Sequence, residues 1–219
     1  MEFWLKRYFF LIKIRCLYLF FLIKKNYCDR ISKIKEIIMN IWHDIESSRI
    51  TPEEFIAVVE ISKGSKQKYE MDKKTGVLLL DRILYTSTHY PANYGFIPHT
   101  LADDKDPLDV LILCSESLLP MSLVKCYPIG VIIMHDSGAV DEKIIAIPET
   151  DPNYNTYKSI NDLPKHIFDE MRHFFQVYKQ LESKEPTSVD VTADRDEAIK
   201  IIKKSMDSYK RNLYDLTAK

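Results

Sequence analysis

Four carboxylates crowd into the seven residues Asp103-Asp104-Lys105-Asp106-Pro107-Leu108-Asp109. On an extended chain Asp104 and Asp106 share a face, and Pro107 bars a regular helix, so the cluster sits on a loop that enters the apolar run LDVLIL at 108–113. Like charges held this close repel unless cations neutralise them, which points to hard divalent ions; a solvated acidic loop is the plainer alternative. An EF-hand is excluded, because counting from Asp104 the sixth position is not glycine and the twelfth is Ser115, not Glu.

A second acidic segment, His135-Asp136-Ser137-Gly138-Ala139-Val140-Asp141-Glu142-Lys143, joins two apolar runs, and a turn at Gly138 would fold Asp136 and Asp141 toward each other. Glu60 interrupts the apolar run Ala57-Val58-Val59, where a carboxylate is hard to dismiss as surface decoration, and Glu70 lies on a neighbouring run. Together these acids describe one basin able to hold several Mg²⁺ ions. The cations and phenols that would complete it are Lys68, Arg82, Tyr90, Tyr94, Tyr178 and Lys179. Taken singly they read as exposed strand, core or solvated residues. Combined with an acidic basin they match what phosphate chemistry needs, since metals and Lys/Arg must share the charge of a polyanion.

The elements that must position these groups come in two kinds. Short β-rich runs separated by turn signals occupy 54–62, 68–72, 77–85, 108–113, 122–134 and 143–147, the pattern of an antiparallel barrel or sandwich. Helices follow. The stretch 162–182 carries its apolar residues on one helical face, with Pro164 in the first turn, and Asp194-x-x-Glu197 reads as the capping box of a second helix running to about residue 212. The expected class is α+β, a β-barrel with flanking C-terminal helices.

Composition narrows the chemistry. With 5 glycines in 219 residues there is no G-x-x-x-x-G-K-[ST] loop and no G-x-G-x-x-G turn, so phosphate must be gripped without a backbone cradle. The net charge of −1 hides an asymmetry: residues 1–38 hold nine Lys/Arg against three acids, which leaves 22 basic and 29 acidic residues in 39–219. The 4 cysteines show no C-x-x-C, and Cys114 and Cys126 sit in apolar runs as small hydrophobes, consistent with a reducing, cytoplasmic setting. The 6 histidines form no zinc pattern.

Residues 1–38 are apolar and basic together. Lys6, Arg7, Lys13 and Arg15 interrupt any membrane span, and no small residue precedes Ser32 to mark a signal cleavage site. An interfacial basic helix, an organelle-targeting arm, or a start at Met39 with the upstream residues a gene-start artefact remain open, so a membrane surface could be met only through 1–38.

At this point the motifs resemble a known family. Glu60 in VVEI, KYEMDKKTG with Asp81-Arg82, YPANYGFIPHT, DDKDPLDVL, the Asp136…Asp141-x-Lys143 loop and HFFQVYK are similar to family I soluble inorganic pyrophosphatases, in order from about Trp42 to Lys179. WHDIE and KGSKQKYE resemble the branch shared by plants and some bacteria. The resemblance implies a five-stranded OB-type barrel with helices packed on it and Mg²⁺-dependent hydrolysis of pyrophosphate to two orthophosphates. It implies that Asp104, Asp109 and Asp141 hold a first metal, that Asp109 bridges to a second, that Asp136 with Asp141 serves a third, and that Glu60 serves a fourth. Asp106 would accept a proton from a water bridging two metals as it attacks in line, and Tyr90 matches a tyrosine offered as a proton donor. Lys68, Arg82, Tyr94, Lys143, Tyr178 and Lys179 match the phosphate-holding groups. Lys105 departs from the family, where a small residue is common; its ammonium would either weaken metal binding or point to solvent. The family also implies homo-oligomers, hexamers or dimers, with His173 on the 162–182 helix a contact by analogy.

Two other readings stand beside this one. A D-x-D nucleotide-sugar transferase would use Asp104 and Asp106 but lacks its nucleotide-binding α/β half. An OB-fold nucleic-acid binder would want a basic groove with stacking aromatics, whereas the site here is acidic.

Overall fold

A computed structural model of the protein describes residues 40–136, 139–182 and 188–217; of residues 136, 139, 188, 190, 191 and 214–217 it describes the backbone alone. The extension at 1–38, the start considered at Met39 and the turn at Gly138 lie outside the described residues.

In chain order the elements are β1 (Phe55–Ile61), β2 (Gln67–Met71), β3 (Leu78–Ile83), β4 (Asn93–Phe96), β5 (Asp109–Ile112), β6 (Leu123–Asp136), β7 (Ala139–Pro148), α1 (Lys165–Val177), β8 (Ser188–Asp194) and α2 (Arg195–Thr217). Strands β1, β4, β5, β7 and β6 form a ladder that β6 closes by pairing back onto β1, and β8 adds to the far side of β6. The α+β class and the five-strand closed arrangement agree with expectation. The all-antiparallel reading does not: β5 and β7 run parallel, because the chain leaves β5, reverses through β6 and returns along β7.

The membership of the ring also differs from the sequence reading. The runs at 68–72 and 77–85 are strands, but they pair only with each other, as a two-stranded sheet apart from the ring. Their place is taken by β4, the four residues Asn93-Tyr94-Gly95-Phe96, too short and too glycine-marked to read as a strand. Gly95 is required there. A Cβ on it would lie 1.8 Å from the carbonyl oxygen of Val58 on β1. Strand β8 is a second element that the sequence did not announce.

All seven residues of β1 are buried. Phe55, Ala57 and Val59 pack with Val131 and Ile144 of the ring and with Ala198, Ile201 and Ile202 of α2. Val58 instead meets Trp42, Phe96 and Tyr209, and Ile61 joins Phe174 and Phe175 of α1. Each such aliphatic or aromatic side chain contributes about 1.5–3 kcal/mol of transfer free energy, so β1 is the strand around which the layers condense.

Helix α1 buries Phe168, Met171, Phe174 and Phe175 on one face. It is shorter than the periodicity predicts. Ile160–Asp162 form a separate 3-10 turn closed by a Ser159/Asp162 capping box, Pro164 stands at the N-cap of α1, and beyond Val177 the chain continues in turns to Glu182. At the start of α2 the Asp194 carboxylate accepts the Arg195 amide and the Ser159 hydroxyl. Cys114 and Cys126 are free thiols and buried, as their apolar neighbours predict. No helix among the described residues is long and apolar enough to cross a membrane.

Candidate active site

One cleft of about 290 Å³ collects most of the residues singled out above. The ring contributes Glu60, Tyr94, Asp109, Asp141 and Lys143; the hairpin Lys68, Glu70 and the turn residue Lys73; the loop before β5 Asp104 and Asp106; and the chain just after α1 Tyr178 and Lys179. Met71, Phe96 and Pro107 supply apolar wall.

Glu60 reaches the cleft by a backbone device. Val59 pairs with Gly95 and Ile61 with Tyr94, so Glu60 is the extra residue of a β-bulge, which turns its side chain out of the ordinary alternation. Its Oε1 accepts the backbone N–H of Met71 at 2.7 Å, the bond that ties the hairpin to the ring. Burial, and then the nearby Asp109 charge, push the Glu60 carboxyl up to about 8.

Asp109 and Lys143 are direct partners across the parallel β5–β7 ladder. The Lys143 ammonium donates to Asp109 Oδ2 at 2.8 Å, to Asp141 Oδ1 at 3.0 Å and to the Tyr94 hydroxyl at 3.1 Å, and the Tyr94 hydroxyl donates to Asp109 as well. Burial alone would lower the lysine pKa, but Asp109, Tyr94 and Asp141 outweigh it and hold the ammonium well above its usual range. Burial acts the other way on Asp109, lifting its carboxyl against the pull of Lys143. With ammonium and phenol both directed at Oδ2, the charged pair is the state the geometry favours.

The acidic loop is held from beneath. Thr100, fully buried, accepts the Leu108 amide on its hydroxyl at 2.8 Å and gives its carbonyl to Trp42 Nε1 at 3.0 Å. Inside the loop Asp104 Oδ1 accepts the Asp106 amide at 3.0 Å, and the Asp106 carbonyl accepts the Ala102 amide at 2.8 Å. This tight turn places Lys105 at φ 70°, a left-handed conformation that explains why a small residue suits the position; its exposed side chain does not line the cleft, so the solvent-facing alternative holds. Asp103 faces away, paired with Lys204 of α2 at 2.8 Å. Asp106 stands at the rim, in an ion pair with Lys73.

The segment Tyr90-Pro91-Ala92-Asn93-Tyr94-Gly95 divides its labour. Asn93, fully buried, accepts the amides of Lys63 (3.0 Å) and Leu118 (2.8 Å) and donates to the Glu116 carbonyl (3.0 Å), pinning two loops. Tyr94 enters the cleft. Tyr90 does not: it is buried, with its ring 5.4 Å from that of Tyr94 and 4.8 Å from that of Phe174, and burial followed by the neighbouring Tyr178 raises its pKa well above the usual phenol value. Arg82 also stands outside the lining, directly opposite Lys68 across the β2–β3 ladder. Lys68 donates to Asp81 Oδ2 at 2.9 Å and pairs with Glu70. The side chain of Asp136 lies outside the described residues. Sequence reasoning singled out neither Tyr69 nor Lys73, both wall residues, although both lie within the KYEMDKKTG run quoted above.

Among the described residues no three His, Cys, Asp or Glu side chains already converge as a closed metal cage. The donor set nonetheless fits hard divalent ions. Glu60, Glu70, Asp104, Asp106, Asp109 and Asp141 face four lysines on one cleft, leaving an excess of oxygen donors without imidazole or thiolate. Burial and the neighbouring Asp109 charge both disfavour the ionised Glu60 carboxylate, and a cation bound beside it would offset both.

Comparisons with known proteins agree with this geometry. The family model described as inorganic pyrophosphatase matches residues 57–210. A soluble inorganic pyrophosphatase of Solanum tuberosum is 49% identical over 168 residues, covering 77% of this chain and 79% of that protein. An inorganic pyrophosphatase of Aquifex pyrophilus is 43% identical over 172 residues, covering 78% and 97%. Among solved structures, the inorganic pyrophosphatase of Helicobacter pylori superposes with a TM-score of 0.73 at 41% identity, over 76% of this chain and 99% of that one. The Thermus thermophilus enzyme superposes with a TM-score of 0.75 at 36% identity, over 78% and 99%.

Proposed function

Because this chain belongs to the inorganic pyrophosphatase family and is an inorganic diphosphatase, we propose that the cleft between Glu60, Asp106 and Lys143 is where it splits pyrophosphate into two orthophosphates, with Mg²⁺ as the metal. The observation that carries this reading is the meeting, on one cleft, of the acidic loop with the buried Asp109–Lys143–Tyr94 cluster.

Asp104, Asp109 and Asp141 would hold one Mg²⁺, Asp109 would reach a second, Asp136 with Asp141 a third, and Glu60 a fourth. Bound there, the ions supply charge neutralisation for the phosphoryl oxygens and acidify water. Asp106, poised at the loop rim, accepts the proton of the water that attacks phosphorus in line. Lys68, Arg82, Tyr94, Lys143, Tyr178 and Lys179 orient the two phosphoryl groups and stabilise charge on the departing phosphate. Tyr90 is assigned a packing role beneath Tyr94, because a buried phenol with a raised pKa is a poor acid at neutral pH. The working unit is residues 39–219, acting in the cytoplasm as a homo-oligomer, hexamer or dimer, with the exposed His173 on α1 a candidate contact.

The test is phosphate release from pyrophosphate. Turnover that requires added Mg²⁺, disappears on chelation and returns on re-addition is expected; turnover indifferent to chelation would remove the metal from the proposal.

A further inference from the structure

Glu182, in the turn beyond α1, spends both carboxylate oxygens on β3 and the residues that follow it. Oε2 lies 2.5 Å from Arg82 Nε, and Oε1 accepts the Tyr85 backbone N–H at 3.1 Å. The Glu182 side chain is 12% exposed and that of Arg82 24%, so the pair is poorly screened by solvent. Arg82 is held a second time by Asp81, through Nη1.

A guanidinium is a rigid plane of five N–H donors. With Nη1 donating to Asp81 and the Glu182 carboxylate in ion contact beside Nε, that plane is held between carboxylates from two different elements, which narrows the orientations open to its remaining donors. Arg82 stands across the ladder from Lys68, a wall residue of the cleft, and Tyr178, another wall residue, is close enough to help raise its pKa against the effect of burial. The same carboxylate therefore joins two sources of phosphate-binding groups: β3, and the turn carrying Tyr178 and Lys179. Asp81 cannot replace it. Asp81 is the bulged residue of β3 and already accepts from Lys68, so it anchors Arg82 within the hairpin and not to α1.

We infer that Glu182 is a positioning residue for pyrophosphate: it fixes the Arg82 guanidinium and registers it against Tyr178 and Lys179. The inference rests on Arg82 contacting substrate, as proposed above.

The experiment is a cycle of Glu182→Gln, Arg82→Gln and the double variant in the full chain, read as KM and kcat for pyrophosphate with Mg²⁺. Glu182→Gln keeps the side chain's shape and an oxygen for the Tyr85 amide. It is expected to raise KM about tenfold with kcat within about twofold, the signature of lost ground-state binding. In the Arg82→Gln background the same change is expected to move KM less than about twofold, because its effect passes through the arginine. Glu182→Asp, charged but one methylene shorter, is expected to fall between the wild type and Glu182→Gln. If Arg82→Gln raises KM while Glu182→Gln leaves it unchanged or lowers it, the inference fails and the role of Arg82 stands. Multiplying effects in the double variant also overturn it, as an action independent of Arg82. If Arg82→Gln leaves KM unchanged, both the arginine's role and the inference fall.

Discussion

Lys143 stands opposite Asp109 across the parallel β5–β7 ladder, its ammonium 2.8 Å from one carboxylate and 3.0 Å from Asp141, with 4% of its side chain exposed. One nearly buried cation thus balances two partly buried acids. Lys143→Met removes the balance and leaves the carboxylates facing each other, a change expected to cost about 3 kcal/mol in the presence of a chelator. Urea unfolding with and without Mg²⁺ checks this. The loss should shrink when the cation is supplied; an equal loss in both conditions would count against a metal held by Asp109 and Asp141.

Asp106 is expected to matter for turnover and hardly at all for folding. Its side chain is half exposed, and the loop is held by its backbone amide and carbonyl, which Asn retains. Asp106→Asn should lower kcat by about 10²–10⁴ while the melting temperature stays within about 2 °C. Undiminished turnover would remove Asp106 from its assigned role.

Gly95 is a position where one methyl group is decisive. The added Cβ would meet the Val58 carbonyl at 1.8 Å, backbone against backbone, between two ring strands. Gly95→Ala is expected to cost more than about 4 kcal/mol, enough to leave little folded protein at 37 °C. Circular dichroism and soluble yield read the result, and a variant melting near the wild type would mean that β4 can shift away from β1.

Asp151 offers a pH handle outside the lining of the cleft. It is 5% exposed, and its carboxylate accepts the amides of Ser115 at 2.7 Å and Asn153 at 2.9 Å. Burial alone would raise its pKa; the two amides reverse that and hold it below the usual carboxylate value. Since the folded pKa is the depressed one, its contribution is complete above the unfolded value of about 3.9 and is lost as pH falls through the lower folded value. Asp151→Asn should therefore cost about 1–2 kcal/mol at pH 7 and flatten the acid limb of stability against pH. An acid limb of unchanged slope would assign that limb to other carboxylates.

The acids of the cleft were legible because their types and spacing are abnormal for a surface. Four carboxylates around Pro107, and Glu60 inside an apolar run, each violate what burial and repulsion would otherwise select. What could not be read was anything set by a partner strand. Glu60 faces the cleft because β1 bulges against β4, and β4 is a strand only through its neighbours β1 and β5. Lys73 reaches Asp106 from a turn whose sequence speaks only of chain reversal. Glu182 carried no signal of its own, standing last in the stretch read as a helix, because its partner Arg82 is far away in sequence. The hairpin was visible as two strands; its separation from the ring was not, because local pattern carries no account of which edges pair.

That separation divides the cleft between two kinds of scaffold. Asp109, Asp141 and Lys143 ride on a closed ladder with no free edge, whereas Lys68, Glu70 and Lys73 ride on a two-stranded ribbon. Opening the ribbon breaks few buried contacts, so its amides should exchange with deuterium well ahead of those of β1, β5 and β7. On that expectation the wall bearing Asp109 and Asp141 is the slow-exchanging one, and the ribbon that carries Lys68 and Lys73 loosens only by giving up the Met71–Glu60 hydrogen bond and the Arg82–Glu182 ion pair that hold it to its neighbours.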